Sequence, residues 1–366
     1  MIHTFRLVSP PLPFNRYRHI ENCVYKHAEH GLCRIVNRQE NLLLFLLQDY
    51  PGLRLCLNSL NVPHIGMVVN PALILGGGYH DLCSLSPESL STCMKLISSI
   101  LQKFEVGFAV DQLILSRIDC TVDVKFPKED ALAAFISCIQ RTDPPRSYHI
   151  ERFNKGQPNH KEMNRHSFRM ACNDVCLTVY DKTFQLMHEG LMDEASIPLG
   201  RLRFEAAFCS PAFQRLFVKY GDGIFLDGSS EHDLETVIIG FSNLSLRLLQ
   251  DYFGQHMTPG QYLRGDLALQ RIDSGPFSAK VESKMKLLLA EVARCHKGGI
   301  SAALKKLEGD GFTRNELQYL LRCFEKIDLN PATINNSSGH EEFPSIAELL
   351  SDEERFIGPI SSSAVR

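Results

Sequence analysis

The side chains best suited to catalysis lie in three short segments with the alternating pattern of β-strands. Tyr180 and Lys182 belong to VYDK, Asp119 to SRID and Glu205 to LRFE. A phenol has a pKa near 10, so a tyrosine attacks a phosphodiester only when neighbouring groups activate it. A divalent cation held by carboxylates polarises the phosphodiester, and a lysine stabilises the phenolate. These residues therefore predict a cleavage that leaves a phosphotyrosyl ester, which can be resealed without ATP.

Alternation along these segments predicts one apolar and one polar face for each strand. Ile118, Val122 and Phe204 are expected to point into a core. The opposite positions carry charged side chains, namely Arg117, Asp119, Asp123, Arg201, Arg203 and Glu205. If the strands are neighbours in an antiparallel sheet, these groups share one exposed face with Tyr180 and Lys182. An ordinary solvated face would show the same pattern, so both interpretations stay open.

The spacing of the carboxylates limits which of them can hold one metal ion. Asp119 and Asp123 are four residues apart, which places them roughly 13 Å from each other on a regular strand. They cannot both be direct ligands of one ion unless a bulge intervenes. We therefore expect Asp119 and Glu205 to form the metal pair, with Asp123 at its rim. Carboxylate oxygens of this kind suit Mg²⁺ or Mn²⁺.

Length and composition are those of a globular protein with two or three domains. The chain has 366 residues, of which 44% are hydrophobic and 22% charged. No apolar run approaches the roughly 18 residues of a membrane-spanning helix, so we expect no membrane association. The twelve cysteines are scattered and lack a second pair at zinc spacing. They are typical of buried thiols in a reducing cytoplasm.

The charge is distributed unevenly along the chain. The formal net charge is -3, and the residues from Ser338 onward are strongly acidic. Residues 141–182 are mildly basic, which is compatible with contacts to backbone phosphates. Arg165 and Arg169 in that segment are candidate DNA contacts, as are Arg117, Arg201 and Arg203. A basic segment of this size is also common on ordinary surfaces.

The order of predicted elements indicates an α+β fold, with an antiparallel sheet that packs helices on one face. Strands and turns are expected over residues 53–75, strands near 113–126, 168–181 and 201–209, and helices from Ser86, Pro127 and Ser210. The last of these helices is expected to run to Tyr220, with Gly221 as its C-cap. Residues 141–167 are expected to form a long exposed loop. The boundaries predict a catalytic domain over 1–275, a helical module over 276–335 that is a candidate for DNA binding, and an acidic, disordered tail over 336–366.

The chain resembles the rolling-circle replication initiators of filamentous phages and, more loosely, the related plasmid initiators. The resemblance rests on the ordered segments Ser116–Asp119, Val179–Lys182 and Leu202–Glu205, together with Asn70-Pro71-Ala72 and the glycines that follow. It implies an endonuclease that nicks one strand at the replication origin, stays bound to the 5′-phosphate and later rejoins the ends. Tyr180 falls on the nucleophile of that family and Lys182 on its adjacent lysine.

The resemblance also implies partners and a location. Origin DNA, single-stranded or as a supercoiled duplex, would be the substrate in the cytoplasm of a bacterial host. The glycines of LILGGGYH are not followed by the Lys-Ser or Lys-Thr of a phosphate-binding loop, so unwinding would fall to a host helicase and its replication machinery. A monomer and an oligomer on DNA are both compatible with the sequence.

Two observations keep a second hypothesis open. Many rolling-circle nickases hold their metal with a His-hydrophobic-His motif, which this sequence lacks. His160 and His166 are six residues apart and are expected in the loop. The alternative is an initiator or repressor that binds origin DNA without cutting it, in which Tyr180 is a packing residue. In either case Thr313 and Glu316 predict a capped helix that could present Arg314 to DNA.

Overall fold

The computed structural model describes residues 1–39, 42–126, 129–142, 147–152, 160–191, 200–224, 233–295 and 298–358. The strands are β1 Ile2–Val8, β2 Cys33–Gln39, β3 Leu42–Leu47, β4 Leu53–Asn58, β5 His64–Val69, β6 Ile114–Lys125, β7 His149–Glu151, β8 Ser167–Ala171, β9 Val175–Asp181, β10 Arg201–Cys209, β11 Tyr262–Leu263 and β12 Glu342–Phe343. The helices are α1 Phe14–Glu29, α2 Pro71–Ile74, α3 Pro87–Lys103, α4 Glu129–Ile139, α5 His160–Arg165, α6 Lys182–His188, α7 Ser210–Ile224, α8 Leu234–His256, α9 Gly265–Asp273, α10 Ala279–Arg294, α11 Gly299–Gly309, α12 Arg314–Lys326 and α13 Ile346–Ser351.

The chain forms two compact units. Unit 1 contains the described parts of residues 1–122, 205–248 and 358–366, and unit 2 those of 123–204 and 249–357. Strands β6 and β10 and helix α8 each contribute residues to both units. The α+β class with an antiparallel sheet, predicted from the sequence, is confirmed. Within the described residues no helix is both long enough and apolar enough to cross a membrane.

Unit 1 is built on a sheet with the strand order β2-β3-β4-β5-β1-β6-β10. The pairs from β2 to β6 are antiparallel, and β1 lies between β5 and β6. Alternate residues such as Phe5, Phe45 and Met67 are buried on one face of this sheet. The Tyr25 ring of α1 meets the Phe45 ring edge-on at 5.8 Å, so α1 packs on that buried face.

Helix α3 begins where the sequence predicts. The Ser86 hydroxyl accepts a hydrogen bond from Ser89 N–H, and Pro87 occupies the first helical position. Apolar residues recur at helical spacing, and Leu90, Ile97 and Leu101 are buried. The helix therefore has one apolar face, which it buries within unit 1.

The strands that contribute residues to unit 2 follow the order β6-β10-β9-β8-β7. Strands β8 and β9 form an antiparallel hairpin, closed where Cys172 N–H donates to the Val175 carbonyl at 2.9 Å. Phe135 of α4 is fully buried among aromatic rings at centroid distances of 5.2–5.7 Å, those of Phe126, Tyr262 and Phe343. Helices α10, α11 and α12 add the helical module that the sequence predicts after residue 276.

The structure differs from the predicted elements in three places. Residues 168–181 form the hairpin of β8 and β9 and not one strand, because Asn173 and Asp174 make a turn. The predicted loop over 141–167 contains β7 and α5, with residues 143–146 and 153–159 outside the described part. Helix α7 extends to Ile224 and does not end at Gly221.

The segment after residue 335 also differs from the predicted disordered tail. Strand β12 pairs with β11 through Tyr262 and Phe343, and Ser345 caps α13. Phe343, Leu349 and Leu350 are buried, which gives this acidic segment enough apolar surface to fold. Residues 359–366 lie outside the described part, and the functional division into three domains stays a prediction.

Candidate functional site

In unit 1 the predicted metal residues Asp119 and Glu205 belong to one polar cluster with His3, Thr4 and Arg117. Asp119 accepts hydrogen bonds from Arg117 Nε at 2.6 Å and from the Thr4 hydroxyl. The His3 Nδ1 and Glu205 Oε2 atoms are 3.0 Å apart. The cluster forms because β1 is paired with β6, which brings Thr4 opposite Asp119 and Arg6 opposite Arg117.

The two carboxylates of this cluster influence each other. Burial raises the pKa of the Asp119 carboxyl above its usual value, and the negative charge of Glu205 raises that pKa further. The Arg117 guanidinium and the Thr4 hydroxyl oppose this change but do not reverse it. The ionised form of the Asp119 carboxyl is therefore disfavoured in this cluster, and an added positive charge would stabilise that form.

The two carboxylates of the cluster suit a hard divalent cation such as Mn²⁺ or Mg²⁺, whereas the imidazole of His3 is a ligand that softer metal ions prefer. The present arrangement of these side chains, however, is engaged in hydrogen bonds to neighbouring side chains. Within the described residues no three His, Cys, Asp or Glu side chains are grouped so as to hold a metal ion. A cation bound by Asp119 would have to displace Arg117 or Thr4 from its oxygens.

His3 and Thr4 also belong to this cluster, although they are not among the site residues predicted from the sequence. They stand at the start of β1, where a shift in register between Ile2 and Thr4 leaves His3 without a directly paired partner on β6. The alternation of IHTFRLV indicates the strand, but nothing in it indicates the partner strand or the bulge. His3 is not part of a His-hydrophobic-His motif, so that motif does not indicate it either.

In unit 2 Tyr180 lies near the end of β9, on the face predicted from the sequence. Val175, Leu177 and Val179 are buried, whereas the alternate residues Thr178 and Tyr180 are half-buried. Tyr180 is paired with Ser167 of β8. The strand therefore directs the phenol away from the apolar core of the hairpin.

The prediction that Lys182 shares a strand face with Tyr180 is wrong. Strand β9 ends at Asp181, whose carboxylate accepts a hydrogen bond from Phe184 N–H at 2.9 Å and caps α6. Lys182 is the first residue of this helix and is only 3% exposed, and its Nζ donates to Gln185 Oε1 at 2.9 Å. The helical turn removes Lys182 from the strand alternation, and its catalytic role stays a prediction.

His166 lies directly beside this strand end. Its Nδ1 is 3.2 Å from Asp181 Oδ2, and its ring stacks on the Phe184 ring at a centroid distance of 3.7 Å. The Phe184 ring stacks in turn on His188 at 5.5 Å. His166 is therefore the bend residue between α5 and β8, in the region predicted as a loop, and its ring contacts Asp181 and Phe184. His160, which was also predicted in the loop, is instead the first residue of α5.

Asp123, Arg201 and Arg203 form a buried ion-pair group in unit 2. Arg203 donates to both oxygens of Asp123, at 2.6 and 2.8 Å, and Arg201 lies 3.5 Å from the same carboxylate. The three side chains are between 0% and 5% exposed. The expectation that they lie on an exposed face is wrong, because both faces of these strand segments are covered. The predicted roles of Asp123 at a metal and of the arginines at DNA stay untested.

The other predicted DNA contacts of unit 2 are on its surface. Arg165 is exposed and pairs with Glu162, and Arg169 is exposed and lies 2.7 Å from Glu151. Arg314 is exposed at the start of α12, where Thr313 and Glu316 form the predicted capping box. These positions can reach a ligand, but each is also typical of an ordinary solvated surface.

Comparisons with known proteins add little to this geometry. Neither the models of protein families nor the curated proteins match the sequence. One similar solved structure is a rolling circle replication initiator protein from Geobacillus stearothermophilus, with 8% sequence identity over 70% of this chain and 85% of that chain. The TM-score is 0.32, and a likeness of this size carries no argument about function.

Proposed function

We propose that the protein is a phage- or plasmid-type DNA replication initiator that nicks one strand at an origin with Tyr180 and later rejoins the ends. The phenolate oxygen would attack the phosphorus and release the 3′-oxygen, leaving a 5′-phosphotyrosyl ester. Attack by a 3′-hydroxyl on that ester would release Tyr180 and restore the phosphodiester. No external energy source is required, because one phosphoester bond is formed for each one broken.

The single observation that carries the proposal is the polar cluster of unit 1, in which Arg117 and Thr4 donate to Asp119 and His3 contacts Glu205. The two carboxylates are 86 positions apart in the sequence, and in unit 1 they are near enough for the charge of Glu205 to raise the pKa of Asp119. Like charges held together at a partly buried position favour a bound cation or a shared proton. The proposal assigns Mg²⁺ or Mn²⁺ to Asp119 and Glu205, with His3 as the neighbouring nitrogen donor.

When bound, such a cation would polarise the phosphodiester and stabilise the charge that develops on its oxygens. The protein's own residues have separate tasks. His3, which contacts Glu205, would fix the orientation of that carboxylate, and Arg117 would position Asp119. Arg117 is 38% exposed and so can also contact a phosphate.

Tyr180 is supported as the nucleophile by its place on β9. Its phenol is directed away from the apolar side of the hairpin and stays half-buried, which restricts its orientation without enclosing it. Two other tyrosines are more buried: Tyr148 is 9% exposed and Tyr220 is 5% exposed. Burial raises the pKa of Tyr148 far above its ordinary value, which makes that phenol a poorer nucleophile.

The alternative is an origin-binding protein without nicking activity. In that case Asp119 and Glu205 would share a proton or a hydrogen-bond network, and Tyr180 would only pack against β8. The hydrogen bonds that already engage both carboxylates favour this alternative. Metal-dependent formation of a covalent protein–DNA adduct separates the two.

The test is the nicking of a supercoiled plasmid that carries the cognate origin, with Mn²⁺ and with EDTA. Wild type is expected to nick with Mn²⁺ and to leave an adduct on the DNA 5′ end. Tyr180→Phe is expected to bind the origin and form no adduct. Tyr319→Phe is the matched control, because Tyr319 is a 48% exposed tyrosine of α12. Normal cutting by Tyr180→Phe would exclude this nucleophile, and binding without cutting by wild type would favour the alternative.

A further inference from the structure

A row of arginines crosses the sheet of unit 1. The directly paired positions on β2, β3, β4, β5, β1 and β6 are Arg34, Leu46, Arg54, Val68, Arg6 and Arg117. Directly paired residues project on the same side of a sheet, so the four arginines share one face. Five strand spacings separate Arg34 from Arg117, a span of about 24 Å. We call these four residues the arginine row.

The face that carries the arginine row is the open face of the sheet. Arg34 and Arg54 are exposed, and Arg6 and Arg117 are half-buried. Leu42, Leu44 and Leu46 of β3 lie on the same side and are also half-buried, whereas the alternate residues Leu43, Phe45 and Leu47 are buried. Guanidinium groups and partly exposed aliphatic side chains therefore alternate across this face.

Among the described residues, the part of the open face that β1 to β5 form carries a net positive charge. None of the strands β1 to β5 contains Asp or Glu. Arg34, Arg54 and Arg6 form no ion pair with the described residues. Arg6 Nε is buried and has no hydrogen-bond acceptor among them, and Gly66 leaves room for its guanidinium, since a Cβ there would lie 3.3 Å from Nε.

The arginine row ends at the carboxylate cluster. Arg117, its last member, donates to Asp119, the residue that the proposed function assigns to the metal. A polyanion that follows the row from Arg34 would therefore reach, within unit 1, the carboxylates to which the proposed function assigns the metal.

We propose that the open face binds single-stranded DNA, with the arginine row contacting successive backbone phosphates next to the nicked position. This proposal rests on the proposed function. Guanidinium groups bind phosphate oxygens through paired N–H donors. A single strand is favoured over a duplex because its unpaired bases can contact the aliphatic side chains of β3, whereas a duplex hides the faces of its bases.

The experiment measures binding of a fluorescein-labelled oligothymidylate by anisotropy, over a range of salt concentrations and in EDTA. Losing one phosphate contact on a single strand reduces the magnitude of the slope of log K against log salt by about 0.7, which corresponds to about fivefold weaker binding at 0.1 M salt. This loss is expected for Arg54→Gln. Arg34→Gln/Arg54→Gln is expected to reduce the slope by about 1.4.

The matched control is Arg18→Gln, since Arg18 is exposed on α1, which packs on the opposite face of the same sheet. Its affinity and slope are expected to equal those of wild type. Wild-type slopes for Arg34→Gln/Arg54→Gln would overturn the proposal. Equal competition by an unlabelled duplex would overturn the preference for a single strand, and equal competition by polyglutamate would overturn the assignment to DNA.

Oligothymidylate binding in EDTA needs neither Tyr180 nor a metal, so this test is independent of nicking. If wild type forms the adduct while the arginine variants bind normally, the open face is not the binding surface, and the proposed nicking activity is still supported. If the arginine variants lose binding while no adduct ever forms, the open face binds single-stranded DNA and the nicking activity fails.

Discussion

Arg203 donates hydrogen bonds to both carboxylate oxygens of Asp123, at 2.6 and 2.8 Å, and both side chains are almost completely buried. Arg201 approaches the same carboxylate at 3.5 Å. Paired donors of this geometry hold a charge in the interior only while both partners are present. The contact therefore makes Asp123 important for the stability of unit 2, whichever function the protein has.

Removing either partner is expected to destabilise the protein strongly. Asp123→Asn removes the carboxylate shared by the buried Arg203 and Arg201, and Arg203→Met removes both of the Arg203 hydrogen bonds to Asp123. Breaking a buried ion pair in this way typically costs about 3–5 kcal/mol. Urea denaturation followed by circular dichroism measures this change in the free energy of unfolding. The double variant Asp123→Leu/Arg203→Met is expected to recover part of the loss caused by Asp123→Asn, because Arg201 is then the one charged member of the buried group and Arg203 no longer adds a second positive charge. A cost below about 1 kcal/mol for both single variants would contradict a buried pair.

Strand alternation predicted much of the fold because each buried face leaves a mark in the sequence. Val175, Leu177 and Val179 are buried as expected, and so are Ile118, Val122 and Phe204. The capped starts of α3 and α12 were also predictable, since Ser86 and Thr313 are local signals that need no tertiary contact.

The exposure of the polar residues was not predictable in the same way. Alternation groups Asp123 with Arg203 on one face, but it does not say whether other elements cover that face. Lys182 was placed wrongly because β9 ends one residue earlier, where Asp181 caps a helix. His3 joins Glu205 only through the pairing of distant strands, which no local pattern encodes.

Metal binding is expected to stabilise wild type and to depend on Glu205. A ligand that binds only the folded state at a hundred times its Kd adds about 2.7 kcal/mol, so millimolar Mn²⁺ should raise Tm. Glu205→Gln should lose this increase. Glu21→Gln is the control, since Glu21 pairs with Arg18 on the surface of α1. An equal Mn²⁺ effect in all three proteins would exclude Glu205 as a ligand.

In the absence of metal, the raised pKa of Asp119 determines whether the stability of the folded state rises or falls with pH. Folded Asp119 holds its proton to higher pH than the unfolded chain does, because of burial and the charge of Glu205. The folded state thus binds more protons in that window, and its stability falls as pH rises from the ordinary value through the raised pKa. Asp119→Asn should flatten this decrease in urea titrations run in EDTA. A steeper decrease in Asp119→Asn would contradict the direction of the pKa change.

Glu316 is expected to produce the opposite pH dependence. Hydrogen bonds from Lys284 and from Thr313 lower its pKa from 4.5 to about 2. As pH falls, the unfolded state binds the proton before the folded state does. The stabilisation that ionised Glu316 provides is therefore complete above about pH 4.5 and is lost as pH falls toward about 2. Thermal melts over this range should show a shallower loss of Tm for Glu316→Gln. Glu308→Gln, on neighbouring α11, is the control; an unchanged profile for Glu316→Gln would contradict the assignment.

Phe343 tests whether the acidic C-terminal segment is folded. Its ring lies 5.7 Å from the Phe135 ring and 6.3 Å from the Phe126 ring, both edge-on, and its side chain is buried. Truncating a buried phenylalanine typically costs about 3–5 kcal/mol, so Phe343→Ala should lower the free energy of unfolding by that amount. Phe356→Ala is the matched control, because Phe356 is a less buried phenylalanine of the same segment and should cost less. A disordered segment would instead make both variants equal to wild type in urea denaturation.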